Sequence, residues 1–270
     1  MTSAKLGQAS AAAVAGLMAL SLGGGTVLAQ GCGDLPGHRE LSETLSAVVD
    51  GGGNGGLGNE MWATVINRNG VVCAVAFTGE DRGDQWPGSR VISAQKANTA
   101  NAFSLPSDAG FGGALSSGNL YGTVLPEGSL LGLQFSNPVD TSVAYKGPGR
   151  RYGQRNDPMV GNRIGGVNVF GGGLALYVDG EEVNEIVGGL GVSGDTSCTD
   201  HVVAWKVRDA LELDFVPGGV SPSGDDNLIL ASPPFPNSFQ HPICGTGEAR
   251  DEIIEIINDL PFDFPIGPNP

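Results

Sequence analysis

Apolar residues stand at i, i+4, i+7 and i+8 in Leu41, Leu45, Val48 and Val49, and this stripe predicts a short amphipathic helix closed by the glycine cluster Gly51 to Gly58. Two β-rich runs follow, Met61 to Ile66 and Val71 to Phe77. They flank Asn67-Arg68-Asn69-Gly70, whose Asn-Gly step suits a tight hairpin turn. A polar loop, Thr78 to Arg90, leads into Ser93 to Phe103, which has helical composition with Ser93 placed as its cap. The stretch Ser104 to Asn162 is rich in Gly, Pro and Ser with little periodicity, and so long a loop is either functional or an interface. Between Ile164 and Gly194 a glycine-punctuated strand pair runs into a helix at about Thr199 to Leu211, which carries Val202, Val203, Trp205 and Val207. Beyond Pro217 the pattern fades apart from Ile253 to Ile257, and residues 251–270 form an acidic, proline-rich tail expected to fray. The order of elements predicts an α+β fold, an antiparallel β-sheet with helices packed on it. Trp62, Trp205 and Phe77 are expected in its core.

The first stretch is set aside from the fold. Lys5, the apolar run Ala11 to Leu22 and Val27-Leu28-Ala29 read as a secretory signal over residues 1–29, with cleavage after Ala29. A cysteine so soon afterwards, Cys32, offers lipoprotein anchoring as an alternative, although Ala29-Gln30-Gly31 is a poor version of the Leu-led site such processing prefers. An exported chain, periplasmic or secreted, is the expectation, with residues 30–250 as a single domain interrupted by an insertion at about 104–162. No later segment offers the ~20 apolar residues of a membrane span. The formal charge of −15 includes Lys5, and so acidic a chain is repelled by a phosphate backbone, which excludes nucleic acid as a partner.

In an exported chain the four cysteines, Cys32, Cys73, Cys198 and Cys244, favour disulfides over a zinc site, because no C-x-x-C spacing occurs. Three pairings are open, beside a pair of buried free thiols. Cys32 with Cys244, tying the ends of the domain together, and Cys73 with Cys198 are the expected pairs.

Certain words of the chain carry a family resemblance. Met61-Trp62-Ala63-Thr64-Val65-Ile66-Asn67-Arg68-Asn69-Gly70, Ala94-Gln95-Lys96-Ala97-Asn98-Thr99-Ala100, Gly165-Gly166-Val167-Asn168, the strand Gly188 to Gly194, and Asp200 opening the last helix resemble the GlcG/HbpS haem-binding family, sometimes labelled haem-degrading. The likeness runs from about Leu35 to Leu213. The insertion and the tail are longer than in the minimal domain. The resemblance implies a profilin-like sheet, homo-oligomers built from dimers, and haem as cofactor, and it leaves the axial ligand open.

Haem iron takes His, Met, Cys or Tyr. Of the imidazoles His38, His201 and His241, His201 is the candidate iron ligand, because it lies in the first turn of a helix opened by Ser197-Cys198-Thr199-Asp200, with Asp195 or Asp200 able to orient it. Met159 and Tyr152 are weaker candidates, and His38 and His241 read as surface residues. Lys96 and Arg90 are candidate partners for a propionate or another small acidic ligand, Lys96 on the strength of its family position. Gly189, Gly191 and Gly194 are expected to present backbone to the ligand as the wall of a pocket.

Two other readings stand beside haem binding, storage, sensing or degradation. One is an enzyme on the same scaffold acting on a small acidic or aromatic compound, with Lys96 and Asp195 or His201 as acid/base groups. The other is an accessory protein that binds a membrane sensor. Gly189 to Gly194 also matches G-x-G-x-x-G, yet the irregular sequence after it leaves no room for a doubly wound sheet.

Overall fold

The computed structural model describes residues 1, 31–106, 113–180, 184–235 and 239–267. The secretory signal expected at 1–29 lies outside them apart from its first residue. Four strands, β1 (Trp62–Asn67), β2 (Val72–Phe77), β3 (Gly173–Val178) and β4 (Glu185–Ser193), form one antiparallel sheet in the order β2-β1-β4-β3. The helices are α1 (His38–Asp50), α2 (Ser89–Phe103), the short α3 (Leu133–Ser136) and α4 (Thr141–Ala144) in the insertion, α5 (Ser197–Ala210) and α6 (Glu248–Asp263). Two short strands, β5 (Ile229–Ala231) and β6 (Gln240–Pro242), pair in parallel away from the main sheet. This is the expected α+β architecture. Among the described residues no helix is long and apolar enough to cross a membrane.

Strand periodicity sorts side chains between two buried faces. Ala63, Val65, Leu190 and Val192 pack with Leu41 and Leu45 of α1, with Val202 and Trp205 of α5, and with Ile253, Ile257 and Leu260 of α6. Trp62 and Ile66 turn to the other face and pack with Val91, Ala94 and Ala97 of α2. The sheet is therefore covered on both sides, and its strands lack an outward polar face. Trp62 and Trp205 are buried as expected, and Phe77 is half-buried.

On the α2 side, β4 carries glycine where packing would otherwise place a side chain. A Cβ on Gly191 would lie 1.9 Å from the Ser93 carbonyl oxygen, and one on Gly189 would lie 2.4 Å from that of Ala97. Gly173 on β3 faces the Lys96 carbonyl in the same way, at 2.4 Å. Together with the small residues Ser93, Ala94 and Ala97 they let the helix backbone rest on the strand backbone. Gly189 and Gly191, expected to wall a pocket, instead clear a path for α2.

So close an approach lets Lys96 reach past the end of β4. Its ammonium donates to the Asp200 carboxylate of α5 at 2.6 Å and to the Val192 carbonyl at 2.9 Å, with both side chains buried. The other oxygen of Asp200 accepts from the amides of Gly194 and Asp195, both at 2.9 Å. One buried ion pair thus joins the layers on opposite faces of the sheet.

Several sequence expectations change. The disulfides are Cys32–Cys73 and Cys198–Cys244, so neither expected pair forms. Each bond closes a loop of moderate length, 41 and 46 residues apart in sequence, and neither joins the two ends of the domain. Helix α2 starts at Ser89 after Gly88, one turn before Ser93. Ser93 Oγ donates to the Arg90 carbonyl and meets Thr64 Oγ1 at 2.8 Å, so it joins helix to sheet instead of capping. At α5 the cap is Thr196, whose side chain accepts from the Thr199 amide. The tail expected to fray supplies α6, because Ile253, Ile257 and Leu260 form an i, i+4, i+7 stripe that the core takes up.

Two substitutions test these contacts. Gly191→Ala must displace backbone and is expected to destabilise the fold by about 3 kcal/mol in urea unfolding, while Gly33→Ala, whose added methyl meets nothing within 4 Å, changes little. Lys96→Met leaves the Asp200 carboxylate buried without its cation and is expected to lose about 3–5 kcal/mol. In Lys96→Met/Asp200→Asn the amide still accepts from Gly194 and Asp195, and part of that loss returns. A double variant as unstable as the sum of the two singles would show that the pair is not coupled.

Candidate functional site

Helix α5 carries the chemistry. His201, one turn in, is wholly buried, and neither ring nitrogen makes a hydrogen bond of acceptable geometry. The Trp205 ring lies 6.1 Å away. A Cβ placed on Gly171 would sit 3.2 Å from His201 Cβ and 3.1 Å from Leu228 Cδ1, so the chain at Gly171 passes close to the start of the His201 side chain. Burial pushes its pKa well below the ordinary histidine value, and the nearby Arg208 charge acts in the same direction. The ring is therefore neutral at physiological pH.

The partners proposed for His201 from the sequence do not orient it. Asp195 is buried and turned toward the loop after α1, where its carboxylate accepts from Leu57 N at 2.9 Å and Asn59 N at 3.0 Å, and from Thr196 N. It pins the glycine loop 51–58. Asp200 is engaged with Lys96, and burial raises its pKa to about 6, against the pull of that ammonium. Lys96, lowered by its own burial, reaches neither solvent nor a cavity.

Arg90 is equally committed. Its guanidinium makes a buried fork on Asp157 of the insertion, donates to the Ala144 carbonyl at 2.7 Å, and lies 3.7 Å from the Tyr152 ring centre. Arg90 therefore anchors the insertion and does not await an anionic ligand. Met159 is buried beside it in the α2-face core. Gly194, like Gly189 and Gly191, makes room for backbone, since its Cβ would fall 2.2 Å from the Glu60 carbonyl.

Two imidazoles expected at the surface are placed differently. His38 is half-buried in the first turn of α1, with Nε2 2.9 Å from the Gly153 carbonyl. His241 is wholly buried on β6 against α5, and burial lowers its pKa to about 4. Its Nδ1 lies 2.8 Å from the Pro242 carbonyl, its Nε2 lies 3.2 Å from Ser197 Oγ, and the Tyr121 ring stands 5.3 Å away. No local pattern marks this burial, because His241 lies 44 residues from Ser197 and beside a proline.

A groove of about 410 Å³ opens on the other side of the α5 N-terminus. The glycine loop 51–58, Asp195, Thr199, Val203 and Glu252 line it. Positive φ angles at Gly52, Gly53, Gly55, Gly56 and Gly58 shape its lip, and Gly56 is confined further by Thr199 Oγ1, 2.2 Å from where a Cβ would be. In the sequence that cluster read only as the end of a helix.

Among solved structures the chain is similar to PduOC in complex with haem, at 19% identity over 65% of this chain and 91% of that one, TM-score 0.43. It is also similar to the Klebsiella pneumoniae protein ORFY, at 21% identity over 63% and 87%, TM-score 0.39, and to HbpS, at 16% identity over 64% and 86%, TM-score 0.36. No curated protein matches it in sequence. The family model described as "Haem degrading protein HbpS-like" matches residues 43–209, from α1 to the end of α5. With more than half of its length so matched, the chain belongs to the HbpS-like family.

Proposed function

We propose that this chain is an exported haem-binding protein and that His201 supplies the imidazole that holds the iron. The observation that carries the reading is a neutral, fully buried imidazole whose nitrogens make no hydrogen bond of good geometry, with the Asn227 side chain as a polar neighbour. An unsatisfied buried polar group costs about 1–3 kcal/mol, and neutral imidazole is the form that haem iron accepts. Family membership supplies the ligand class, and the two disulfides suit an oxidising compartment such as the periplasm or the exterior.

The donor fits the group, whereas room beside it is lacking in the closed chain. The Asn227 side chain, a polar neighbour of the imidazole, comes from the segment after Leu213, beyond the stretch that the family model matches. Access to His201 is therefore governed by that segment. Haem, once bound, supplies redox-active iron. The surrounding residues shield the imidazole from water and hold it uncharged, while two of the charged groups that act on it, Arg208 and Lys96, are engaged in buried ion pairs with Asp226 and Asp200. Such surroundings favour storage or sensing over degradation of the ring, and they equally disfavour an acid/base enzyme. Homo-oligomer formation is part of the proposal, with Leu131, Phe135 and Tyr145 presenting exposed apolar surface on the insertion.

Titration of the purified protein with haemin tests the reading. A Soret band of ligated haem is expected for the wild type and for His38→Ala, and it is expected to be lost or shifted to that of unligated haem in His201→Ala. An unchanged spectrum in His201→Ala would remove His201 from the site. Binding no tighter than to an unrelated acidic protein would remove haem itself.

A further inference from the structure

Where the C-terminal segment meets the start of α5, Cys198, His241 and Cys244 bring their sulfur and imidazole donor atoms within 4.8 Å of one another. We propose that the Cys198–Cys244 disulfide is the closed form of a metal site, and that on reduction the two thiolates and His241 Nε2 bind a divalent cation of zinc type. This proposal is independent of the haem reading, and two of its ligands lie beyond the part of the chain that the family model matches.

Four features of the geometry support it. First, tetrahedral zinc with bonds of about 2.3 Å to sulfur and about 2.0 Å to nitrogen keeps its donors under about 4 Å apart, a spread that side-chain rotation can reach from the observed cluster. Second, His241 Nδ1 lies 2.8 Å from the Pro242 carbonyl, which assigns the ring proton to Nδ1 and leaves the Nε2 lone pair on the side of the sulfurs. Third, the Cys198 amide donates to Cys244 Sγ at 3.2 Å, and Cys198 occupies the first turn of the fourteen-residue α5, where the helix dipole favours a thiolate. Fourth, Ser197 Oγ lies 3.2 Å from His241 Nε2 and 3.5 Å from Cys244 Sγ, so the hydroxyl, or a water it holds, stands ready for the fourth position. Cys198 and His241 are buried while Cys244 is partly exposed, so Cys244 Sγ is the sulfur that a reductant meets.

The chemistry balances with a dithiol reductant. Its thiolate attacks Cys244 Sγ, the S–S bond breaks, and Cys198 leaves as thiolate. The second thiol of the reductant then displaces Cys244 from the mixed disulfide. The protein gains two electrons and two protons, the reductant closes to its own disulfide, and the two protons depart when the cation takes both sulfurs as thiolates.

The test uses the full chain freed of metal, in oxidised form and after reduction by a water-soluble phosphine that brings no competing thiol. Each form is titrated with cobalt(II), which reports thiolate ligation by charge-transfer absorption and tetrahedral geometry by intense visible bands, and then with zinc as competitor. The expected result is one equivalent of cobalt, with both signatures, in the reduced form alone. In His241→Ala, which keeps the disulfide, affinity after reduction is expected to fall by more than roughly tenfold, the size of effect seen even when an outer-shell partner of a metal is lost. The signature is expected to survive in Cys32→Ser/Cys73→Ser and to vanish in Cys198→Ser/Cys244→Ser. Near-ultraviolet circular dichroism follows the fold in each case. Equal binding by the oxidised form, a reduced chain that is folded but binds no cobalt, a reduced chain that has lost its tertiary signal, or an unaffected His241→Ala would each overturn the proposal.

Discussion

The bond between Lys96 and Asp200 is the constraint on which the rest of the molecule turns. It is buried on both sides, and it connects a helix on one face of the sheet to the first turn of a helix on the other. Only because Gly189, Gly191 and Gly173 let α2 touch the sheet can the lysine chain cross the end of β4. The same carboxylate gathers the amides of Gly194 and Asp195 and so fixes the turn that starts α5. Desolvating two charges offsets much of their attraction, so the value of the pair lies more in specifying how the layers meet than in net stability. His201 follows Asp200 in the chain, and its place in the core is a consequence.

Around this centre the two elaborations are fastened by the same means. Asp157 in the insertion forks onto Arg90 of α2, and Asp226 in the C-terminal segment forks onto Arg208 of α5. Cys244 adds a covalent tie to α5, and the indole of Trp205 donates to the Phe264 carbonyl at the end of α6. A family domain that ends near the close of α5 has thereby acquired a cover. The cover brings the Asn227 side chain to His201, whose nitrogens make no hydrogen bond of good geometry, and it brings a second imidazole and two sulfurs together at the start of α5.

Much of the fold was legible in the sequence, because it rests on local patterns. The stripe Leu41, Leu45, Val48 gave α1, the β-rich runs about Asn67-Gly70 gave the hairpin, and the glycine-rich runs gave β3 and β4. The burial of His201 behind Asp200 was half legible, in that a helix start beside glycine strands was visible while its seclusion was not. What failed depended on contacts distant in sequence. Glycine in a strand reads equally as clearance for a ligand and clearance for a helix, and only the position of α2 decides between them. Lys96 and Arg90 looked like anion binders because their carboxylate partners stand 104 and 67 residues away. Disulfide pairing and the burial of His241 depend in the same way on where the chain after Leu213 folds back.

Nitrogen-15 NMR of the His201 ring, followed from pH 8 to pH 6 and then during haemin addition, decides whether this imidazole is neutral and whether it meets the iron. The expected result is neutral-imidazole shifts that do not move through pH 6.5, because burial holds the pKa well below that value, and signals that disappear as iron is bound. A ring that titrates near 6.5, or one whose signals persist unchanged with haem bound, would contradict it.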